Sequence, residues 1–251
     1  MIAGRTAVVT GGGSGLGAAI AGALVREGAR VIAVGRTRAR VEAVAAAHTP
    51  HVRAEVCDVA DPHAVAELAE RLSDERISIL INNAGIAGPV APLLDITPAQ
   101  WDEVFAINVR GIYLTCRALL PGMIEQGDGD VINIASVSGK RPLAGRTPYC
   151  ASKMAVLGLT TTLAAEVGPL GITVNSLSPG PVEGERMHRN FRLEAERTGT
   201  TYEEAQEAFV SRAALGRMVT ETEVATAVTA MLTMPGLCAA DIDLSAGMSA
   251  R

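Results

Sequence analysis

Aromatic residues are scarce: one Trp, three Tyr and three Phe among 251 residues, or 3%. Any core must therefore be aliphatic, and a hydrophobic content of 48% is enough to build a large one. There is no surplus of positive charge. Twenty-two basic against 27 acidic side chains leave a net charge of −5, so no nucleic-acid partner held by phosphate contacts is expected. No apolar run approaches the ~20 residues of a membrane-spanning helix, so no membrane partner is expected. The opening Met1-Ile-Ala-Gly-Arg-Thr6 leads straight into an apolar stretch and lacks the basic-then-apolar plan of a signal peptide. The expected location is cytoplasmic. Cysteines are few and scattered (Cys57, Cys116, Cys150, Cys238), with no Cys-x-x-Cys pair. They read as buried, reduced thiols, and no metal site is expected.

What the chain does have is alternation. Thr6–Thr10, Val31–Val34, His51–Cys57, Ile77–Ile81, Asp130–Ala135, Ile172–Leu177 and Asp241–Leu244 read as short buried strands. Between them lie helical patterns. Ala18–Glu27 has Ile20, Ala23 and Leu24 on one face, and Gly28 stops it. Asp61-Pro62 pairs an N-cap with a proline at the first helical position. Thr97-Pro-Ala-Gln100 opens a long helix as a capping box. Tyr149–Val167 carries Met154, Leu157, Leu163 and Val167, and Thr201-Tyr-Glu-Glu204 and Thr220-Glu-Thr-Glu223 are further capping boxes. Repeated strand–helix units predict an α/β fold, a doubly wound parallel sheet with helices on both faces. No linker or repeat interrupts it, so residues 1–251 read as a single domain. Residues 181–217 are charged and helical with no strand of their own, and form the expected substrate-covering lid.

Thr10-Gly-Gly-Gly-Ser-Gly-Leu-Gly17 joins the first strand to the first helix. Gly11 permits a tight turn, Gly15 lets a pyrophosphate approach the backbone, and Gly17 lets helix and strand pack closely. The helix start then offers amides to phosphates. A lone motif of this kind can be an ordinary glycine-rich turn, but this one lies in a strand–turn–helix context. Gly11, Ser14, Gly15, Leu16 and Gly17 are therefore candidates for binding a dinucleotide. The second strand ends in Gly35-Arg36-Thr37-Arg38, without the acidic residue that would bond a ribose 2′-hydroxyl. A guanidinium at Arg36 suits a 2′-phosphate through its planar fork. This favours NADP over NAD, although Arg36 could instead stack on the adenine of NAD.

Tyr149 and Lys153 stand four residues apart on one helix face. A phenol titrates near ~10, and an adjacent ammonium favours its ionised form. Ser136, upstream, adds a hydroxyl able to hydrogen-bond a substrate oxygen. Ser138 is the alternative hydroxyl, with a shorter spacing to Tyr149.

Together these stretches resemble the classical short-chain dehydrogenase/reductase family (SDR). The likeness runs in order from Arg5 to Leu177 and more loosely to Met248. Thr10–Gly17 resembles its cofactor loop, and Asp58 the residue that contacts the adenine. Asn82-Asn83-Ala84-Gly85 is similar to the family's Asn-Asn-Ala-Gly motif, which supports the sheet and lines the cofactor. Asn108, Ser136, Tyr149 and Lys153 match the catalytic tetrad, and Pro179-Gly180 the turn beside the nicotinamide. The resemblance implies hydride transfer between nicotinamide and a secondary alcohol or ketone. In it Tyr149 is acid or base, and Lys153 tunes the tyrosine and holds the nicotinamide ribose. Ser136 polarises the substrate oxygen, and Asn108 holds a water that relays protons from Lys153. It also implies a homotetramer built through the helices of Asn108 and Tyr149, where Ala151, Ala155, Gly158 and Ala164 would allow close packing. The chain departs from the family pattern after Pro179-Gly180, where Pro181-Val182-Glu183-Gly184 lacks the usual threonine. The Val182 amide is the expected substitute. Cys238-Ala-Ala-Asp241 replaces Thr-Gly-Gln, and Ala246-Gly247 replaces the final Gly-Gly.

Two basic groups flank the expected pocket: Lys140, Arg141 and Arg146, and Arg186, His188, Arg189 and Arg192. They suggest an anionic substrate, unless Glu183, Glu185, Glu194 and Glu196 pair with them in a solvated charged face. His48, His51 and His63 are expected outside the pocket. Two other readings compete with the dehydrogenase/reductase. One is a non-catalytic nucleotide-sensing or scaffold protein on this fold. The other is an epimerase or dehydratase with bound NAD.

Overall fold

The computed structural model of the chain describes residues 1–141 and 143–248, with all their side chains but that of Arg186. Seven parallel strands form one sheet: β1 (Thr6–Thr10), β2 (Arg30–Gly35), β3 (Val52–Val56), β4 (Ile77–Asn82), β5 (Gly129–Ile134), β6 (Ile172–Pro179) and β7 (Asp241–Leu244), in the order β3-β2-β1-β4-β5-β6-β7. The aliphatic strands alternate between two cores. Ala7 and Val9 of β1 face a layer with α1 (Gly15–Arg26) and α9 (Glu221–Met231). Val8 between them faces α3 (Pro62–Arg71), α5 (Gly111–Gln126) and α6 (Thr147–Val167). Both sheet faces are covered, so the central strands are mostly apolar on both sides, as parallel sheets require, while the edge strands alternate, with Arg53 and Glu55 on β3 and Asp241 and Asp243 on β7. Among the described residues no helix is long and apolar enough to cross a membrane.

All seven expected strands are present, and β1 and β7 have the expected bounds. The three capping boxes and the Asp61 cap form, at α4 (Pro98–Phe105), α8 (Tyr202–Val210), α9 and α3. Four helical details differ. Helix α1 starts at Gly15, inside the glycine loop, rather than at Ala18. Helix α2 (Arg38–Ala47) was not expected; it buries only Val41, so it leaves almost no periodic signal. The long helix opened by Thr97 is broken by a π turn at Ala106–Arg110, between α4 and α5. On α6 the buried face runs through Lys153, Val156, Thr160 and Ala164, which leaves the expected apolar Met154 at 49% exposure.

Strand order reverses between β1 and β4, and a crevice opens at the carboxyl ends of strands at such a point. Gly11 follows β1 there and Asn83 follows β4. Residues 181–217 hold α7 (Glu185–Thr198) and α8, between β6 and α9.

Candidate active site

At the crevice, Gly11 and Gly15 take φ values of +65° and +51°, a region that favours glycine. A Cβ on Gly17 would lie 2.1 Å from the Gly11 carbonyl oxygen and 2.6 Å from Asn83 Nδ2. Asn83 clamps this loop: its Nδ2 donates to the Thr10 carbonyl at 2.9 Å, while the Asn83 and Ala84 amides both donate to Thr10 Oγ1 at 3.0 Å. Ser14 is the N-cap of α1, but its side chain makes no cap bond, leaving the first-turn amides for another acceptor. The loop opens into a cleft of about 670 Å³ lined by every residue expected to bind cofactor, from Gly11, Ser14, Gly15, Leu16 and Gly17 to Tyr149, Lys153, Pro179, Gly180 and Val182. Its size, glycine cradle and helix start fit a dinucleotide. At the end of the cleft beside β2, Arg36 lies 3.8 Å from Asp58 and both are substantially exposed. At the other end, Gly180 donates to the Leu244 carbonyl at 2.8 Å, and a Cβ there would strike Ser245 Cα at 2.8 Å. Val182 forms an isolated bridge with Val219, paired through the backbones of Pro181 and Glu183. The Val182 amide takes no part in that pairing.

Lys153 is buried, its Nζ donates to the Ile134 carbonyl at 2.7 Å, and it lies 5.9 Å from the Tyr149 ring centroid. Ser136 caps a short 3-10 turn, Val137–Gly139, by accepting from the Ser138 amide at 3.2 Å. That turn is packed on α6, since a Cβ on Gly139 would lie 2.9 Å from the Lys153 carbonyl carbon. Ser136 and Tyr149 line both the cofactor cleft and a second cavity of about 910 Å³; Ser138 lines only the second. Ser136 is therefore the better-placed hydroxyl.

Asn108 is in contact with neither cavity. It is fully buried in the π turn, behind Gly85, whose Cβ would meet its Oδ1 at 3.1 Å. Its Nδ2 donates to the Ile86 carbonyl at 2.9 Å and to Ser152 Oγ at 3.0 Å, and its Oδ1 accepts from the Ile86 amide at 2.8 Å. Ser152 in turn donates to the Tyr149 carbonyl at 2.8 Å. Both amide hydrogens are thus taken by protein, and Asn108 can meet a water only through an oxygen.

The second cavity lies under α7 and α8, with walls that include Leu143, Met187, Phe191, Phe209 and Met248. The charges around it differ from those expected. Of the two basic groups, Arg146 alone among the described side chains lines it, buried, with its Nη2 donating to Asn190 Oδ1 at 2.9 Å. Arg141, His188, Arg189 and Arg192 do not line it, and the Arg186 side chain lies outside the described residues. Lys140 is engaged by Asp241 at 2.6 Å and by Asp243. Burial acts to lower its pKa, but the bonds to the two carboxylates outweigh that and raise it. The cavity gains Arg197 and Arg212 instead. Arg197 pairs with Glu194 at 2.6 Å, and its hydrogen bond holds that carboxyl below its usual range. Arg212 stacks over Phe209 at 5.9 Å. Glu183 and Glu185 line the cofactor cleft, and among the described side chains neither makes an ion pair with the basic groups.

Among the cleft residues, two charged ones, Arg40 and Glu221, were not expected there. Arg40 lies on the unexpected α2. The Glu221 carboxylate would sit 3.3 Å from a Cβ on either Gly15 or Gly184, between the glycine loop and the start of α7. The cysteines are all free, but only Cys57 and Cys116 are buried; Cys150 is half-buried and Cys238 is exposed, contrary to expectation. Burial pushes the Cys57 thiol up to about 11 and the Cys116 thiol up to about 12. His48, His51 and His63 line neither cavity.

A parallel sheet with this crevice, glycine loop and Tyr–Lys helix defines a dinucleotide-binding oxidoreductase. The model of the short chain dehydrogenase family matches residues 5–195, and the chain belongs to that family. It is 41% identical over 195 residues to D-threitol dehydrogenase of Mycolicibacterium smegmatis, covering 74% of this chain and 73% of that one. It is 42% identical over 189 residues to 2-(R)-hydroxypropyl-CoM dehydrogenase of Xanthobacter autotrophicus, covering 71% and 75%. Among solved structures, a single-site variant of actinorhodin polyketide ketoreductase with NADPH superposes with a TM-score of 0.92 at 28% identity, over 97% of each chain. The chain is an NAD(P)-dependent oxidoreductase of the dehydrogenase/reductase kind; the sensor or scaffold reading is not supported.

Proposed function

We propose that the chain interconverts a secondary alcohol and a ketone, with NADP preferred to NAD and Tyr149 as acid or base. The observation that carries this reading is the position of Ser136 and Tyr149 at the seam of the two cavities, with the buried Lys153 ammonium beside the phenol. When bound, the nicotinamide supplies or accepts the hydride. The chain's own residues handle the oxygen. In reduction, Tyr149 gives its phenolic proton to the oxygen as the carbonyl becomes an alcohol; in oxidation it takes that proton back. Ser136 donates a hydrogen bond to the same oxygen and stabilises the charge that grows there. Lys153, fixed by the Ile134 carbonyl, is placed to offset negative charge on the phenol oxygen. Asn108 holds the Ile86 peptide and, through Ser152, the start of the Tyr149 turn; a relay water would meet its oxygen rather than its amide.

The apolar cavity under α7 and α8 favours a substrate with an apolar body, and residues 181–217 act as its lid. Arg146 and Arg212 favour an anionic group on that body, a role moved from Arg141 and Arg189. Arg36, with Arg40 nearby, favours a 2′-phosphate. A cytoplasmic homotetramer through α5 and α6 suits the exposed Tyr113 and Met154 and the exposed Gly158. Ala164 is not part of that surface, because it is buried in the protein's own core.

The test is a panel of alcohols and ketones, neutral and anionic, assayed with both cofactors against wild type and Tyr149→Phe. The variant should lose about 10²–10⁴-fold in kcat, the range of a general acid–base group, and keep its cofactor affinity. Turnover that survives the substitution would remove Tyr149 from the mechanism.

A further inference from the structure

The turn that carries Ser136 ends at Lys140, which lines neither cavity. Its ammonium reaches across to β7, to Asp241 Oδ2 at 2.6 Å and to Asp243. Asp241 is a hub, since its Oδ1 also accepts from Ser176 Oγ at 2.7 Å and Ser178 Oγ at 2.8 Å on β6. Ser178 directly precedes Pro179-Gly180, the turn at the far end of the cofactor cleft, and Gly180 is itself bonded to Leu244 of β7. The four residues Asp241–Leu244 thus hold two separate walls of the reaction site. The opposite side of the Ser136 turn is fixed by Gly139 against α6 at Lys153. Without Lys140, the turn keeps its contact to α6 and its start, which follows β5 where the Ala135 amide donates to the Leu177 carbonyl at 2.8 Å, but its far end loses its tie to β7.

We propose that Lys140, with Asp241 and Asp243, is a positioning residue that sets Ser136 in register with Tyr149 and with the Pro179-Gly180 turn. The proposal rests on Ser136 acting on the substrate oxygen. It assigns a task to the part of the chain that departs from the family's C-terminal pattern, and a charge pair is suited to it. The two carboxylates fix the ammonium from two points, where a single surface pair would constrain it little.

The test is a double-mutant cycle between Lys140→Met and Ser136→Ala, read together with amide exchange by mass spectrometry. Lys140→Met should speed exchange in residues 136–141 about tenfold, through easier local opening, and leave residues 150–167 unchanged. It should lower kcat about tenfold while NADPH affinity stays within about twofold. In the Ser136→Ala background the same substitution should cost no more than about twofold, because residues acting through one group are non-additive. Lys140→Arg should restore most of the rate, and Asp243→Asn, which keeps the Asp241 bond, should fall between. An equal loss in both backgrounds, or unchanged exchange and rate in Lys140→Met, overturns the proposal. Absence of turnover in wild type would instead overturn the function proposed above, and the exchange data would still show whether Lys140 anchors the turn.

Discussion

Replacing Arg36 by Asp should separate the two nicotinamide cofactors. Arg36 follows β2 with its side chain 58% exposed, and its partner Asp58 is 3.8 Å away and 41% exposed. A surface pair of that kind is worth about 0–1 kcal/mol, so turning the guanidinium towards a phosphate costs little. A hydrogen bond between two charged groups contributes about 1.5–3 kcal/mol, or roughly 10–150-fold in affinity. The substituted carboxylate adds repulsion of about 1–3 kcal/mol against a phosphate some ~5 Å away, depending on solvent screening. Since the site is open to water, the lower part of the summed range applies. Arg36→Asp should therefore weaken NADPH by at least about 30-fold and NADH by no more than about threefold. The assay is fluorescence titration of both reduced cofactors at low and high salt, and the NADPH penalty should shrink as salt rises. Equal weakening of both would show that Arg36 packs on the adenine or acts on the fold, and would refute the 2′-phosphate role.

Gly17→Ala should lower Tm and weaken either cofactor more than about tenfold, because its Cβ would fall 2.1 Å from the Gly11 carbonyl oxygen and overpacking of this kind costs about 1–3 kcal/mol. Gly122→Ala on α5, where a Cβ meets nothing within 4 Å, is the control and should stabilise by about 0.5–1 kcal/mol; a matching loss there would show that helical glycines are not discriminated by space. Glu223 is held at about 2, first by the Arg217 hydrogen bond and then by the Thr220 amide. Its folded pKa lies below the ordinary 4.5, so its contribution to stability is complete above that value and disappears as pH falls towards about 2. Urea unfolding from pH 5 to 2 should show a shallower decline for Glu223→Gln than for wild type, and identical slopes would contradict the pairing.

The fold is legible wherever local chemistry and burial agree. The runs Thr6–Thr10 and Asp241–Leu244 are strands with those bounds because turn residues close them on both sides. Thr97, Thr201 and Thr220 announce α4, α8 and α9 because the capping box is a local bond pair that any solvent-exposed helix start can make. Helix α2 is illegible for the opposite reason. It lies on the protein surface, fully buries Val41 alone with Val44 and Ala45 packed at the edge of the core, and has no side-chain cap bond. The π turn at Asn108 is equally silent, because the extra residue is accommodated by tertiary bonds to Ile86 and Ser152 rather than by anything in Ala106–Arg110 itself.

The cofactor half of the site is legible because it is built from backbone: glycine spacing fixes where a chain can turn and how closely a neighbour can approach. The substrate half depends on which charges meet across the fold, and those are not local. Lys140 reads as available to a substrate in the sequence, but its carboxylates are Asp241 and Asp243, 101 and 103 residues away. The same C-terminal stretch keeps its geometry beneath altered chemistry. Ala239 and Ala246 adopt φ values of +57° and +53°, in the left-handed region that costs a non-glycine residue roughly 1–2 kcal/mol. They stand where the family pattern has glycines. The chain turns through this region at each end of β7, and the strand between the two turns carries Asp241 and Asp243, the partners of Lys140, so the acidic end of the proposed anchor is set by a stretch whose backbone is as constrained as its charge.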